Sequence, residues 1–384
     1  MSPSETFAAC LTPAGAAAIA TVAVRGPAAW EVVRRLFRPY TAASPLLPPQ
    51  PQPRRTWLGR LGEAPAAAAA DEVVIAAKRI FPVPWVEIHC HGGQEVVRWL
   101  LEILAAEGVV VCPAGELDQR TADDPAQAAA AAALVHAPTV RTAAILLDQY
   151  HGAFSRAVNE ARAALARGDT DTAGIVLGSL AAYADLGRHL TNPWHVAVLG
   201  APNVGKSSLV NALAGYQRSV VAPTPGTTRD VVTTLISVDG WPVELADTAG
   251  LGDATRQLEE QGMALARSAA SKADLCLWIL DASAPPVWPR WPLPSVRVVV
   301  SKTDLLPAWD LTAAATASHV SARTGQGIDA LCNALATWLV PNAPVSGVAV
   351  PFTPDLAQAI EHPREAVAAG RIAEARVLLE DLWL

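Results

Sequence analysis

Residues 200–207, which read Gly-Ala-Pro-Asn-Val-Gly-Lys-Ser, constrain the fold more than any other part of the chain. They stand between an apolar run at 195–199 and a helical pattern at 208–214. Glycines let backbone N–H groups wrap a phosphate, and the helix that follows directs its first N–H groups at the same anion. The sequence therefore predicts a strand, a phosphate-binding loop and a helix that together bind a nucleoside triphosphate.

The residue types in this loop also indicate individual roles. Lys206 is expected to reach the β- and γ-phosphates and to act in catalysis, and the Ser207 hydroxyl is expected to ligate Mg²⁺. The loop residues predicted to contact the nucleotide are Asn203, Val204, Gly205, Lys206, Ser207 and Ser208.

Two segments further along the chain have the order of GTPase switches. The first reads Gly-Thr-Thr-Arg-Asp, so that Thr227 or Thr228 is the switch threonine, with Thr228 as the candidate magnesium ligand. In the second, a short apolar strand ends in Asp-Thr-Ala-Gly. Asp247 would hold Mg²⁺ through water, and Gly250 would meet the γ-phosphate during catalysis.

A third group of residues indicates which base is bound. A β-branched run ends in Ser301, Lys302, Thr303 and Asp304, and this aspartate can accept both N1–H and the exocyclic amine of guanine. Adenine lacks that donor pair and would leave polar groups unpaired. Ser301 stands where GTPases usually carry asparagine, so we expect a weaker bridge to the phosphate loop without a change of base. Lys302 and the backbone of Ser321 and Ala322 complete the predicted guanine site.

Composition limits the class of protein. With 384 residues, of which 51% are hydrophobic, the chain has material for two or three domains. Its net charge of −7 restricts any RNA contact to a local patch. Five scattered cysteines argue against a disulfide framework. No long apolar stretch or export signal is evident, so we predict a cytoplasmic protein without membrane contact.

The pattern of short apolar runs and helical spacing divides the chain into four parts. Residues 1–117 alternate strands with helices, such as those predicted at 30–37 and 94–106, in an α+β module. Residues 118–192 read as helices. Residues 193–341 form the P-loop GTPase domain with a mostly parallel sheet, and 342–384 read as a shortened second helical part. The prediction is a multi-domain α/β fold whose GTPase domain is inserted into an α-helical domain.

The motifs together resemble one family. The phosphate loop, Pro-Gly-Thr-Thr-Arg-Asp and Asp-Thr-Ala-Gly-Leu are shared with the ribosome-assembly GTPases Era and Der. The N-terminal part of the sequence has three further motifs, Thr-Pro-Ala-Gly at 12–15, His-Gly-Gly at 91–93 and Pro-Ala-Gly-Glu at 113–116. Over nearly its whole length the chain therefore resembles the MnmE (TrmE) family of tRNA modification GTPases, whose N-terminal domain binds folate.

This resemblance implies how hydrolysis would proceed. Small GTPases place a glutamine after the second switch motif, where this chain has Leu251. In the family a glutamate positions the water, and it aligns with Glu259, with Glu260 as the second choice. The alternative is that both are solvated carboxylates at the start of a helix. The family also uses K⁺ in place of an arginine finger, and Asn203 matches its ligand. Since that ion enters when two nucleotide domains meet, a homodimer is implied.

The resemblance further implies a GTP/GDP cycle and work on tRNA. Family members act with a flavin-dependent partner protein on the wobble uridine of certain tRNAs, using a folate derivative. The sequence ends in Leu-Trp-Leu, without the family's Cys-Ile-Gly-Lys tail, and departs from the family after Glu116. Folate binding is therefore left open. So is a second function, that of a GTPase switch in ribosome or ribonucleoprotein assembly that has lost the tRNA chemistry.

Overall fold

A computed structural model gives the fold of most of the chain. The contacts divide the chain into two compact units, Met1–Ala128 and Ala129–Leu384. The described residues are 5–13, 15, 17–40, 47–52, 55–62, 70–81, 83–121, 124–216, 232–247 and 267–383.

The first unit is built on a seven-stranded sheet in the order β3-β4-β5-β6-β2-β1-β7, in which only the β1–β7 pair is parallel. Helices α1 and α2 contribute Trp30, Leu100 and Leu104 to the apolar core against the sheet. The unit thus has an α+β arrangement. Its elements are β1 (Phe7–Cys10), β2 (Ile19–Arg25), α1 (Ala29–Leu36), β3 (Phe37–Pro39), β4 (Thr56–Gly62), β5 (Ala70–Arg79), β6 (Trp85–His91), α2 (Gln94–Ala106), β7 (Val110–Val111) and α3 (Ala114–Thr121).

The stretch from 125 to 190 is helical, as its Ala- and Leu-rich spacing predicts. Two helix starts have side-chain caps: the Thr139 hydroxyl accepts from the Thr142 N–H at 3.2 Å, and Asp169 accepts from the Thr172 N–H at 3.0 Å. The helices are α4 (Pro125–Leu134), α5 (Val140–Tyr150), α6 (Ala153–Ala166), α7 (Thr170–Ala181) and α8 (Ala184–Arg188).

The nucleotide-binding segment carries a six-stranded sheet in the order β13-β12-β11-β8-β10-β9, parallel except for the β9–β10 pair. Strand β8 lies between β10 and β11, so the strand order reverses there, and a crevice forms at the carboxyl ends of these strands. The elements are β8 (Trp194–Gly200), α9 (Lys206–Tyr216), β9 (Val232–Val238), β10 (Trp241–Asp247), α10 (267–272), β11 (Leu275–Asp281), β12 (Val296–Ser301), β13 (Ser318–His319) and α11 (Ile328–Leu339).

After α11 the chain forms α12 (Pro354–Ala368) and α13 (Ile372–Glu380). The segment that leads into them packs on helices that precede the sheet. The rings of Phe154 and Phe352 meet edge to face with centroids 6.1 Å apart. The buried Gln149 side chain donates to the Val348 carbonyl at 3.0 Å and accepts from the Val350 N–H at 3.1 Å. Chain segments on both sides of residues 193–341 therefore contact each other.

Among the helices that the structure describes, none combines the length and the apolar character needed to cross a membrane.

Candidate functional site

The phosphate loop follows β8, whose residues 196–199 are buried. Gly200 has φ +146°, and a Cβ on it would lie 2.6 Å from the Ile279 carbonyl oxygen, so no other residue fits without displacing β11. Asn203 and Gly205 also have positive φ, at 61° and 98°. These conformations curl the loop backbone ahead of α9, as the glycine pattern predicts.

Lys206 opens α9 and lies across this loop. Its side chain is buried, and Nζ donates to the carbonyl oxygens of Gly200 at 3.1 Å and Ala201 at 2.8 Å. Burial lowers the pKa of Lys206, and the charge of Asp247 opposes that shift. An ammonium held by two neutral carbonyls can exchange them for phosphate oxygens, which bind a cation more strongly.

The predicted magnesium ligands fit a hard divalent cation where the structure describes them. Asp247 is buried at the carboxyl end of β10, which pairs in parallel with β8, and Ser207 is exposed at the start of α9. A carboxylate and a hydroxyl are oxygen ligands of the kind Mg²⁺ takes. Four other predicted site residues lie outside the described residues, namely Thr227, Thr228, Gly250 and Glu259.

A cavity of about 350 Å³ opens beside the loop, a size within the range of small-molecule sites. It brings together six of the predicted nucleotide-binding residues, from the loop, from the end of β12 and from the segment after β13. The lining residues are Gly205, Ser208, Leu209, Ser301, Lys302, Asp304, Leu305, Val320, Ala322 and Arg323.

The carboxylate of Asp304 is held from two sides. One oxygen accepts from the Ser321 hydroxyl at 2.6 Å, and the other accepts from Arg323 Nε at 2.9 Å. The hydrogen bond from Ser321 is the main cause that lowers the pKa of Asp304. Each carboxylate oxygen has a further lone pair, so an ionised Asp304 can still accept two N–H groups from a base. Sequence reasoning missed Arg323, because no local pattern distinguishes it from an ordinary loop arginine.

The Ser301 hydroxyl bridges the end of β12 to the phosphate loop. This buried hydroxyl lies 2.5 Å from the Val204 carbonyl oxygen and 3.0 Å from the Leu280 carbonyl oxygen. A hydroxyl has one proton and donates to one of these at a time, whereas an asparagine amide has two donors. At the end of β12, Ser301 thus has one hydrogen-bond donor fewer than an asparagine would have, and its single proton is shared between the phosphate loop and β11.

Sequence reasoning also missed Asp281, the last residue of β11. Its carboxylate accepts from Lys302 Nζ at 2.6 Å, and the same ammonium donates to the Asn203 carbonyl in the phosphate loop at 2.7 Å. A signal for it exists, because an apolar run ending in aspartate also places Asp247 at this edge of the sheet. Lys302 therefore contacts the loop as well as the predicted base site.

Comparison with known proteins agrees with this geometry. Residues 195–293 match a family described as 50S ribosome-binding GTPase, and residues 6–123 match a family described as GTP-binding protein TrmE N-terminus. The tRNA modification GTPase MnmE of Thermus thermophilus is 32% identical, over 100% of this chain and 92% of that protein. The chain belongs to the MnmE family. MnmE proteins of Phenylobacterium zucineum (34% identical, 73% of this chain and 68% of that protein) and Chloroflexus aurantiacus (31%, 97% and 88%) are also similar.

Membership in the MnmE family confirms the resemblance drawn from the motifs. The match of residues 195–293 to a GTPase family shows that they belong to a GTPase domain. The nucleotide that suits the cavity is therefore a guanine nucleotide with Mg²⁺, the ligand class of that domain.

Proposed function

We propose that this protein binds and hydrolyses GTP and couples hydrolysis to modification of the wobble uridine of tRNA. The observation that carries the proposal is that one sheet edge holds both a phosphate loop with a buried lysine and the carboxylate of Asp304. The similarity to tRNA modification GTPases along the chain supports the tRNA step. A role in ribosome or ribonucleoprotein assembly has less support, since the TrmE-type N-terminal match favours the tRNA function.

The residues of the loop would act mainly by positioning and charge. The loop N–H groups and the first turn of α9 would bind the phosphates, while Lys206 would exchange its two carbonyl partners for phosphate oxygens. Ser207, Thr228 and Asp247 would hold Mg²⁺, which neutralises phosphate charge when bound. The Gly250 N–H would meet the γ-phosphate, and Ser321 and Arg323 would keep Asp304 in place for the base.

We also propose that the GTPase domain, 193–341, is inserted into a helical domain formed by 118–192 and 342–384. The contacts of Gln149 and Phe154 with 348–352 support this arrangement. The family resemblance adds a homodimer through the GTPase domains, a flavin-dependent partner protein and tRNA. Folate binding by residues 1–117 and a cytoplasmic location stay predictions.

Glu259 is the proposed water-positioning residue. We expect Glu259→Ala to slow GTP hydrolysis about 10-fold or more, because a general base or water-orienting group is worth 10²–10⁴-fold. The affinity for GTP should change little, since this carboxylate acts on water. Single-turnover hydrolysis and nucleotide titration measure the two effects. The matched control is Glu260→Ala, which should keep wild-type turnover, and the reverse result would transfer the role to Glu260.

Asn203 is the proposed K⁺ ligand in the phosphate loop. It is exposed, and its amide oxygen is a hard ligand of the kind that alkali cations take. A cation beside the β,γ-bridge would neutralise charge as an arginine finger does, a contribution of about 10³-fold or more. We expect turnover to rise when Na⁺ is exchanged for K⁺ at constant ionic strength, and Asn203→Ala to lose that response. Equal rates in both salts would remove Asn203 from this role.

The tRNA step is tested in cells that lack this chain. Wild-type protein should restore the modified wobble uridine, measured by mass spectrometry of digested tRNA, and Glu259→Ala should not. Normal modification in the deleted cells, with no second family member present, would contradict the tRNA function and favour the assembly switch.

A further inference from the structure

We propose that Asp281 is a positioning residue for the phosphate loop. It holds Lys302 Nζ against the Asn203 carbonyl, so that the affinity for guanine nucleotides depends on a carboxylate that does not touch the nucleotide. The inference rests on the proposed function, in that it takes the cavity beside Gly205 as the guanine nucleotide site. Asp281 lies outside the residues that line this cavity.

The two carboxylate oxygens of Asp281 have separate partners. Oδ1 accepts from the Ser283 N–H at 2.8 Å and the Ser283 hydroxyl at 2.7 Å, which fixes the turn after β11. Oδ2 accepts from Lys302 Nζ at 2.6 Å. Burial alone would raise the pKa of Asp281, but the hydrogen bonds from Lys302 and Ser283 outweigh it and lower that pKa. One oxygen thus stabilises a turn, and the other is directed at the lysine.

The backbone of Asp281 is fixed as well. It is paired with Ser301 in the parallel register of β11 and β12, and its carbonyl accepts from Trp309 Nε1 at 2.8 Å. The residue is 8% exposed. A buried carboxylate on an anchored strand end can hold an ammonium in one place, whereas an exposed ion pair would not.

Lys302 transmits this position to the loop. Its Nζ donates to the Asn203 carbonyl at 2.7 Å, and its Cε lies 3.8 Å from where a Cβ on Gly205 would stand. Both Lys302 and Asn203 have left-handed backbones, with φ of 56° and 61°. Non-glycine residues keep such conformations only where the surroundings hold them. The hydrogen bond between these two residues is one such restraint, and Asp281 fixes its donor.

Loss of the charge on Asp281 would release this restraint. Lys302 is 35% exposed at its side chain, so an ammonium without its carboxylate can turn to water. The Asn203 carbonyl then loses its donor, and the loop backbone can leave the conformation that binds phosphate. Nucleotide binding would have to restore that conformation, which lowers the affinity.

The test titrates the full chain with Mg·GDP by calorimetry, so that hydrolysis plays no part. We expect Asp281→Asn to weaken GDP binding about 10-fold or more. If the phosphate loop of the variant adopts the binding conformation in only about one-tenth of the molecules, the apparent affinity for GDP falls by about the same factor. Ser283→Ala removes only the hydroxyl that donates to Asp281 Oδ1 in the turn. Its affinity for GDP should stay within about 3-fold of the wild-type value, the scale of one weak hydrogen bond. In a Lys302→Met background, Asp281→Asn should cause no further loss.

Each outcome decides between the alternatives. If the losses of GDP affinity from Asp281→Asn and Lys302→Met add in the double variant, the positioning role is overturned. Equal losses for Asp281→Asn and Ser283→Ala would also overturn it and leave Asp281 with a structural role in the turn. Unchanged affinity of Asp281→Asn would overturn it directly. Melting curves of the nucleotide-free variants show which are folded. If the Asp281→Asn variant is not folded, Asp281→Ser takes its place in the test. Serine removes the charge without placing an amide N–H against the ammonium of Lys302. Wild-type protein that does not bind GDP would contradict the proposed function instead.

Discussion

Asp304→Asn is expected to weaken GTP binding about 10²-fold or more, since a site that hydrogen-bonds a specific group rejects analogues that leave it unpaired. The carboxylate of Asp304 offers two acceptors to the N1–H and amine of guanine. The amide of an asparagine in its place would set an N–H donor against one of the two N–H donors of guanine. Xanthine carries an oxygen where guanine carries the amine, so the variant should bind xanthosine triphosphate better than GTP.

Competition titrations with GTP, xanthosine triphosphate and ATP measure this change of base. Asp310→Asn is a matched control, because Asp310 is an exposed carboxylate in the same segment and only caps a short helical turn through the Thr312 N–H at 3.0 Å. It should keep wild-type affinity. Retained preference for GTP in Asp304→Asn would show that this carboxylate does not read the base.

Lys206→Ala is expected to abolish GTP binding at micromolar protein and to reduce hydrolysis to background. Lys206 Nζ makes two hydrogen bonds inside the loop and would make charge-assisted ones to phosphate oxygens. Two such bonds, at about 1.5–3 kcal/mol each, correspond to about 10²-fold or more in affinity.

The control for this substitution is Lys272→Ala, which removes an exposed lysine at the end of α10 in the same domain. It should leave binding and hydrolysis unchanged. Guanosine without phosphates should bind Lys206→Ala as it binds the wild type, since this lysine lies at the phosphate loop and not at Asp304. Unchanged GTP affinity of Lys206→Ala would contradict the assignment of the loop.

Local sequence requirements made the phosphate loop predictable. Gly200 and Gly205 sit at positive φ, and Lys206 follows at the first residue of α9, as the motif demands. Helix α2 was also predictable to the residue, because its apolar spacing is regular. The predicted helix 30–37 was wrong at its end, since Phe37 opens β3 and is fully buried against the core. Burial in the sheet outweighed the helical pattern there.

The partners of the site residues were not predictable, because they depend on which strands are neighbours. Asp281 meets Lys302 only because β11 pairs with β12, and that order does not follow from either strand's own residues. Arg323 reaches Asp304 through the fold of the loop after β13. The roles of Thr227, Thr228, Gly250 and Glu259 stay predictions that rest on motif order and family resemblance.

Calorimetric titration of the full chain with Mg·GTP and, separately, with Mg·ATP tests most directly whether the phosphate loop and Asp304 form one site for a guanine nucleotide. A single shared site predicts binding of one GTP per chain and at least about 10²-fold weaker binding of ATP, the discrimination expected of a paired polar site. No binding of GTP, or equal binding of both nucleotides, would contradict it.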